Sequence, residues 1–187
     1  DRYGVPRFCF INKLDRTGAD FWRCVDSIKD RLGANAVPIQ IPIGREDKFQ
    51  GVIDLVEMKA IYYRDDLGNK IDVLDIPEEL RAEAEEHRHR VLEAAVEMDD
   101  ELTHKYLEGE ELTVAEIKRG LRLGTLTTKI IPVLTGSALR NKGIQKMLDA
   151  VVDYLPSPLD VPPMIGIDPR NGQDLLRTPD DSEPFSA

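Results

Sequence analysis

The sequence lacks the long apolar runs, the paired cysteines and the basic excess that mark several large classes of protein. No apolar run approaches the roughly 18 residues that a membrane span needs, so we expect no membrane association. The cysteines, Cys9 and Cys24, form neither a CxxC pair nor a disulfide-dense pattern, which indicates reduced thiols in a cytoplasmic protein. With 25 basic against 35 acidic residues, the net charge of −10 argues against binding a phosphate backbone through charge alone.

The remaining composition is that of an ordinary globular protein. A chain of 187 residues with 41% hydrophobic residues is long and apolar enough for one or two domains with a real core. Both ends have the character of interior segments, because residues 8–11 resemble a buried strand and residues 183–187 begin an extended segment. We therefore expect this chain to be a piece of a longer protein.

A strand, a loop and a helix are predicted near the start. Residues 6–11 form an apolar run without alternation, which is typical of a parallel strand covered on both faces. A polar loop follows over residues 12–19. Asp20 is placed to cap a helix whose apolar positions recur at helical spacing, and Gly33 is placed to end it.

A different pattern begins after Asn35 and indicates an α+β subdomain. Residues 37–43 alternate apolar residues with prolines, and because proline cannot donate to a strand ladder this predicts an edge strand. Further strands are predicted over residues 49–55, 58–64 and 70–74. Helices are predicted over residues 77–98, 101–108 and 113–123. Thr113 and Glu116 form the capping box of the last helix.

The pattern of a covered strand returns at residues 130–134, and a helix follows over residues 143–155. We expect this helix to face the core with its apolar residues Ile144, Met147, Leu148, Val151 and Leu155. Six prolines between Pro156 and Pro179 then mark a linker. The chain is thus predicted to be an α/β unit interrupted by an α+β insertion of roughly 37–124.

The best candidate for a ligand site is the sequence Asn12, Lys13, Leu14 and Asp15, directly after the first strand. Ligands of open α/β sheets bind at the carboxyl ends of the strands. The carboxylate of Asp15 can accept hydrogen bonds from N1–H and from the 2-amino group of guanine, a pair of donors that adenine lacks. Asn12 can tie neighbouring loops or the base edge, and the stem of Lys13 can lie over the ring. On its own, this four-residue pattern is more often a polar turn.

A second loop favours the nucleotide interpretation. Ser137, Ala138 and Leu139 follow the second covered strand, again at a strand end, where a backbone N–H can donate to guanine O6. Two such loops on two successive covered strands, in this chain order, predict one guanine site. Its residues are Asn12, Lys13, Asp15, Ser137, Ala138 and Leu139.

Several stretches resemble the family of bacterial elongation factor G. The sequence NKLDRTGADF, at residues 12–21, resembles the guanine-specificity box of that family. GVIDL at 51–55, GSALRNKG at 136–143 and LDAVVDYLPSP at 148–158 are similar to segments that are specific to this factor among its relatives. The resemblance runs over essentially the whole chain.

The resemblance implies a fold and a function. Residues 1–36 and 125–157 would be the C-terminal half of a P-loop GTPase sheet, with residues 37–124 as the inserted G-prime subdomain. Residues 158–187 would be a linker and the start of a truncated second domain. The longer protein would be a ribosome-dependent GTPase of protein biosynthesis that drives translocation of tRNA and mRNA. It would bind GTP or GDP with Mg²⁺.

The sequence departs from that family in the parts that carry catalysis. The phosphate-binding pattern GxxxxGK[ST] is absent, and the DxxG pattern at residues 15–18 and 65–68 is not followed by histidine. Phosphoryl transfer depends on positioning and electrostatic stabilisation by such parts. We therefore expect no catalytic residue, no metal ligand and no GTP hydrolysis in this chain alone.

Most of the net charge lies in residues 78–101, which hold ten acidic side chains against three arginines. A solvated surface is one interpretation of such a segment. The resemblance implies another, in which the acidic insertion docks the ribosomal stalk protein and complementary charge speeds the encounter.

Two other function classes stay open at this point. One is a sister translational GTPase, such as a ribosome-protection or release factor. The other is a non-catalytic module in which the acidic insertion docks a protein and the nucleotide loops are vestigial. An upstream GxxxxGK[ST] in the longer protein would favour an enzyme over the module.

Overall fold

The computed structural model of the chain describes residues 3–65, 67–160, 162–168, 170–180 and 182. The chain divides into two compact units, residues 1–155 and 156–187. The extended segment expected at residues 183–187 lies outside the described residues, and so does Asp66 of the second DxxG pattern.

The first unit alternates strands and helices. In chain order its elements are β1 (Cys9–Ile11), α1 (Phe21–Leu32), β2 (Ala36–Pro38), β3 (Gln40–Ile43), β4 (Gly51–Asp54), β5 (Lys59–Tyr63), β6 (Ile71–Leu74), α2 (Glu78–Val96), α3 (Asp100–Leu107), α4 (Val114–Leu126), β7 (Ile131–Thr135) and α5 (Ile144–Tyr154). Within the second unit, β8 (Met164–Ile167) and β9 (Asp174–Arg177) form an antiparallel hairpin.

A three-stranded parallel sheet has the order β1–β7–β2. The central strand β7 is buried along its whole length, as the apolar run over residues 130–134 predicts, and the burial extends to the polar residue Thr135. The pairing of β1 with β7 ends at Ile11 opposite Thr135. The loops that follow these two strands therefore leave from the same edge of the sheet.

Helix α1 begins and ends where the sequence predicts. The carboxylate of Asp20 accepts a hydrogen bond from the N–H of Arg23, and the N–H of Gly33 donates to the carbonyl of Lys29. The indole of Trp22, next to the first residue of this helix, stacks on the imidazole of His87 in α2 with the ring centroids 4.2 Å apart.

The single edge strand predicted over residues 37–43 is wrong, because the chain changes sheets in its middle. β2 belongs to the parallel sheet and β3 to a second sheet. Between them, Ile39 donates its N–H to Val133 O at 3.0 Å and accepts from the N–H of Leu55 at 3.0 Å. Each strand is an edge of its own sheet, so the alternating pattern and the tolerated prolines continue across the change.

The second sheet is an antiparallel meander with the order β3–β4–β5–β6, and its last three strands confirm the predicted ones. Helix α2 is fixed to it by Arg88, whose Nη1 donates to the carbonyls of Leu55 at 2.7 Å and Val56 at 2.9 Å. Helix α4 begins with the predicted capping box.

The inward face predicted for α5 is wrong at two positions. Leu148 is 56% exposed and Val151 is 40% exposed, whereas Ala150 and Tyr154 are buried. A helical period that includes Ala150 and the aromatic ring of Tyr154 fits the sequence equally well, so spacing alone could not fix the rotation of this helix. In the described part of the chain, no helix is both long and apolar enough to cross a bilayer.

Candidate functional site

The loops that follow β1 and β7 lie side by side, and one side chain joins them. The Oδ1 atom of Asn12 accepts hydrogen bonds from the N–H of Ala138 at 2.9 Å and from the N–H of Lys13 at 2.7 Å. The N–H of Leu14 donates to Gly136 O at 3.2 Å. The parallel register of the two strands brings these loops together, because both strands end at the same edge of the sheet.

The second loop is closed by a tight backbone contact at Gly136. A Cβ atom at this position would lie 2.2 Å from Lys142 O and 2.9 Å from the ring of Phe10. Beyond it, Ser137 and Lys142 exchange backbone hydrogen bonds of 2.9 and 3.0 Å. Only glycine fits here without a shift of the backbone, and the loop over residues 137–142 is held in one compact form.

The carboxylate of Asp15 is partly buried. Its side chain is 18% exposed, and Arg140 Nε lies 4.0 Å from Asp15 Oδ2. The pKa of Asp15 is lowered, mainly by the adjacent hydroxyl of Ser137 and further by the positive charges of Arg16 and Arg140. The carboxylate is thus ionised at neutral pH and can only accept hydrogen bonds.

The hydroxyl of Ser137 is buried beside this carboxylate and interacts with it. Ser137 is 1% exposed. Its Oγ lies close enough to Asp15 to lower the pKa of that carboxyl, although it forms no hydrogen bond of good geometry with a described residue. Asp15 and Ser137 thus place an ionised acceptor and a hydroxyl side by side at the end of the two strands, and guanine has donors that suit such a carboxylate.

The remaining predicted residues lie at the rim. Lys13 is exposed and has a positive φ of 66°, and Asn141, just after the second loop, has a φ of 51°. Backbone conformations that non-glycine residues rarely adopt gather at functional sites. Leu139 is 75% exposed, so its side chain contributes little to a buried site.

The backbone amides of the second loop are partly engaged. The N–H of Ser137 donates to Lys142 O, and the N–H of Ala138 donates to Asn12 Oδ1. A contact from the Ala138 amide to a base oxygen would therefore have to be shared with Asn12. The amide of Leu139 is the next donor along the loop.

One contact of the first loop was missed by sequence reasoning. The N–H of Gly18 donates to Glu46 Oε1 at 2.7 Å, across 28 positions of sequence. Glu46 lies between β3 and β4, and its sequence context carries no signal that connects it with the loop.

Among the described residues, no three His, Cys, Asp or Glu side chains lie close enough together to form a metal site, so the structure gives no position for Mg²⁺.

Comparison with known proteins shows the family of this chain. Residues 1–157 match the family described as the elongation factor Tu GTP binding domain. The fold is also similar to the crystal structure of a protein from Thermus thermophilus, with a TM-score of 0.74 and 31% sequence identity. The match covers 95% of this chain but only 28% of that one. The chain therefore belongs to the elongation factor Tu GTP binding domain family, the family of the translational GTPases.

Proposed function

We propose that this chain supplies guanine recognition and a docking subdomain to a GTPase of the elongation factor G type. The longer protein would act on the ribosome in the cytoplasm and drive translocation of tRNA and mRNA. In this proposal residues 1–36 and 125–157 belong to the GTPase domain, residues 37–124 form the G-prime-like insertion, and residues 158–187 lead into a second domain.

The observation that carries the proposal is the juxtaposition of the ionised Asp15 and the buried Ser137 hydroxyl in two loops that Asn12 joins. Asp15 would accept from N1–H and the 2-amino group of guanine, as a charge-assisted pair. The amide of Ala138 or Leu139 would donate to O6, and the stem of Lys13 would cover the ring. A site that accepts from substrate donors rejects analogues without them by about 10⁴–10⁵. GTP or GDP would therefore be selected over adenine nucleotides.

The chain alone would not hydrolyse GTP. Hydrolysis requires groups that hold the phosphates, Mg²⁺ and the attacking water. The sequence has no GxxxxGK[ST] pattern for them. We therefore propose weak binding of the nucleotide through its base, with the phosphate and magnesium ligands in other parts of the longer protein.

The acidic insertion is proposed to dock the ribosomal stalk protein. Several acidic side chains of residues 78–101 have local partners, such as Glu86 with Arg90 and Asp99 with Arg119. Others are exposed and form no ion pair with a described residue. These are Glu79, Glu83, Glu85, Glu97 and Asp100. A sister translational GTPase is the second candidate, and the segments GVIDL and LDAVVDYLPSP favour the elongation factor G type over it.

The proposal is tested by changing the base of the nucleotide and the side chain at position 15 together. Amide chemical shifts of the wild type should respond to GDP, and not to ADP, in residues 12–18 and 136–142. The change Asp15→Asn should abolish the response to GDP and create one to xanthosine diphosphate. Xanthine has a carbonyl acceptor where guanine has its 2-amino donor, and an amide at position 15 can donate to it.

The matched control is Asp26→Asn, which removes a charge from the exposed face of α1 and should leave the response to GDP unchanged. A wild type that does not distinguish GDP from ADP would contradict guanine recognition. A sub-micromolar affinity for GDP in calorimetry would contradict the weak binding expected without phosphate contacts.

A further inference from the structure

We infer that Glu46, in the inserted segment, is a positioning residue for guanine recognition: it holds the loop that carries Asp15. The inference rests on the proposed function, because it concerns how the same loop is kept in place. Glu46 lies too far along the chain to belong to either loop, and we assign it no contact with the base.

The contact joins a charged side chain to a backbone amide. Glu46 Oε1 accepts from the N–H of Gly18 at 2.7 Å, and hydrogen bonds to ionised acceptors are stronger than neutral ones. Gly18 lies three residues after Asp15. The exposed segment between them is otherwise folded by local turns, with Arg16 N donating to Lys13 O and Ala19 N to Arg16 O, both at 3.1 Å. Glu46 thus provides this segment with a long-range attachment.

The turn that carries Glu46 is itself fixed in an unusual conformation. Glu46 has a φ of 53°, which residues other than glycine rarely adopt and which persists only where the surroundings impose it. Two residues earlier, Gly44 has a φ of 82°, and a Cβ there would lie 2.0 Å from Lys48 O. Phe49 closes the turn, because its N–H donates a hydrogen bond to Glu46 O at 3.0 Å and its side chain is buried.

The same turn also contacts the second loop. The Nζ atom of Lys142 donates to Phe49 O at 3.3 Å. Lys142 in turn closes the second loop by its backbone bonds with Ser137. Residues 44–49 are therefore attached to the first loop through Glu46 and to the second through Phe49, and they tie the insertion to both halves of the proposed site.

The experiment compares two substitutions of Glu46 with a neighbouring control. Glu46→Ala removes the acceptor, whereas Glu46→Gln keeps a carbonyl oxygen that can accept from Gly18. Asp47→Ala removes an exposed charge from the same turn. The readouts are the dissociation constant for GDP from amide shifts, the hydrogen-exchange rate of the Gly18 amide, and the melting temperature.

We expect Glu46→Ala to weaken GDP binding about three- to tenfold, the equivalent of one lost hydrogen bond, and to speed exchange at Gly18. Glu46→Gln should retain most of the GDP affinity and most of the protection of the Gly18 amide, and Asp47→Ala should leave both unchanged. If the wild type binds GDP specifically and Glu46→Ala binds it equally well, the inference is wrong while the proposed function stands. If the wild type shows no specific response to GDP, both fail.

An equal loss in Glu46→Ala and Glu46→Gln, with unfolding at lower temperature in both, would show a role in stability and also contradict the inference.

Discussion

At the scale of single residues, the strongest prediction concerns Gly136, whose backbone lies very close to that of Lys142. In Gly136→Ala the new Cβ would lie 2.2 Å from a backbone oxygen, so the backbone must move. We expect the free energy of unfolding to fall by about 1–3 kcal/mol, as for other overpacked positions, and the response to GDP to weaken. Urea denaturation measures the first effect.

The control for this change is Gly166→Ala. A Cβ at Gly166 would meet no atom within 4 Å, and its φ is not positive. This variant should be as stable as the wild type. Equal stability of Gly136→Ala would mean that the second loop adapts freely, contrary to the tight geometry of the site.

Residue types and strand ends were sufficient to predict which side chains meet. Asn12, Asp15, Ser137 and Ala138 come together because two covered strands are neighbours in parallel register. The part of Glu46 could not be predicted in this way. Its bond to Gly18 spans 28 positions and depends on how the turn between β3 and β4 packs, which cannot be deduced from the sequence of either loop.

At the scale of elements, the capping box of α4 can be tested directly. Glu116 N–H donates to Thr113 Oγ1, while Glu116 Oε2 accepts from the Thr113 N–H at 2.7 Å. Thr113→Ala should lower the free energy of unfolding by about 1 kcal/mol, because the N–H of Glu116 loses its acceptor and Glu116 Oε2 loses the hydroxyl that donates to it. Thr113→Ser keeps the hydroxyl and should retain most of the stability.

The same box gives a pH dependence. A hydrogen bond from Lys105 and those from Thr113 lower the pKa of Glu116 to about 2. Because the carboxylate is favoured in the folded state, its stabilisation is complete above the unfolded pKa of about 4.3 and disappears as the pH falls towards 2. The difference in stability between wild type and Glu116→Gln should shrink over that interval, and a constant difference would contradict this assignment.

The presence of each strand and helix was easier to predict from the sequence than the way in which these elements pack together. The strands of the meander and the capped helices follow from local pattern and cap residues. The division between β2 and β3 does not, since edge strands of two sheets have the same alternation. The rotation of α5 was missed for a related reason, because its apolar stripe is wide enough to permit two inward faces.

At the scale of the whole molecule, the charge distribution predicts where a basic partner would approach. From the proposed docking of the ribosomal stalk protein, we expect the triple variant Glu79→Gln, Glu83→Gln, Glu85→Gln to associate with the purified stalk protein about three- to tenfold more slowly. The effect should decrease at high salt, where exposed charges are screened. Surface plasmon resonance at low and high ionic strength measures both.

The matched control neutralises three exposed acids between α3 and α4, Glu108, Glu110 and Glu111. It changes the net charge equally and should have a much smaller effect. An equal loss in both variants would indicate attraction by overall charge, and no loss in either would place any docking surface elsewhere.

The change of sheet at Ile39 has a consequence for the order of folding. The central strand β7 must insert between β1 and β2, and the bond from Thr135 to Ile11 joins residues 124 positions apart. Closing so long a loop of disordered chain is entropically unfavourable, and folds dominated by such distant pairings form slowly. If the meander and helices α2 to α4 form first, they draw the ends of this loop together. The meander and these helices would then act as a nucleus whose formation sets the rate at which the parallel sheet closes.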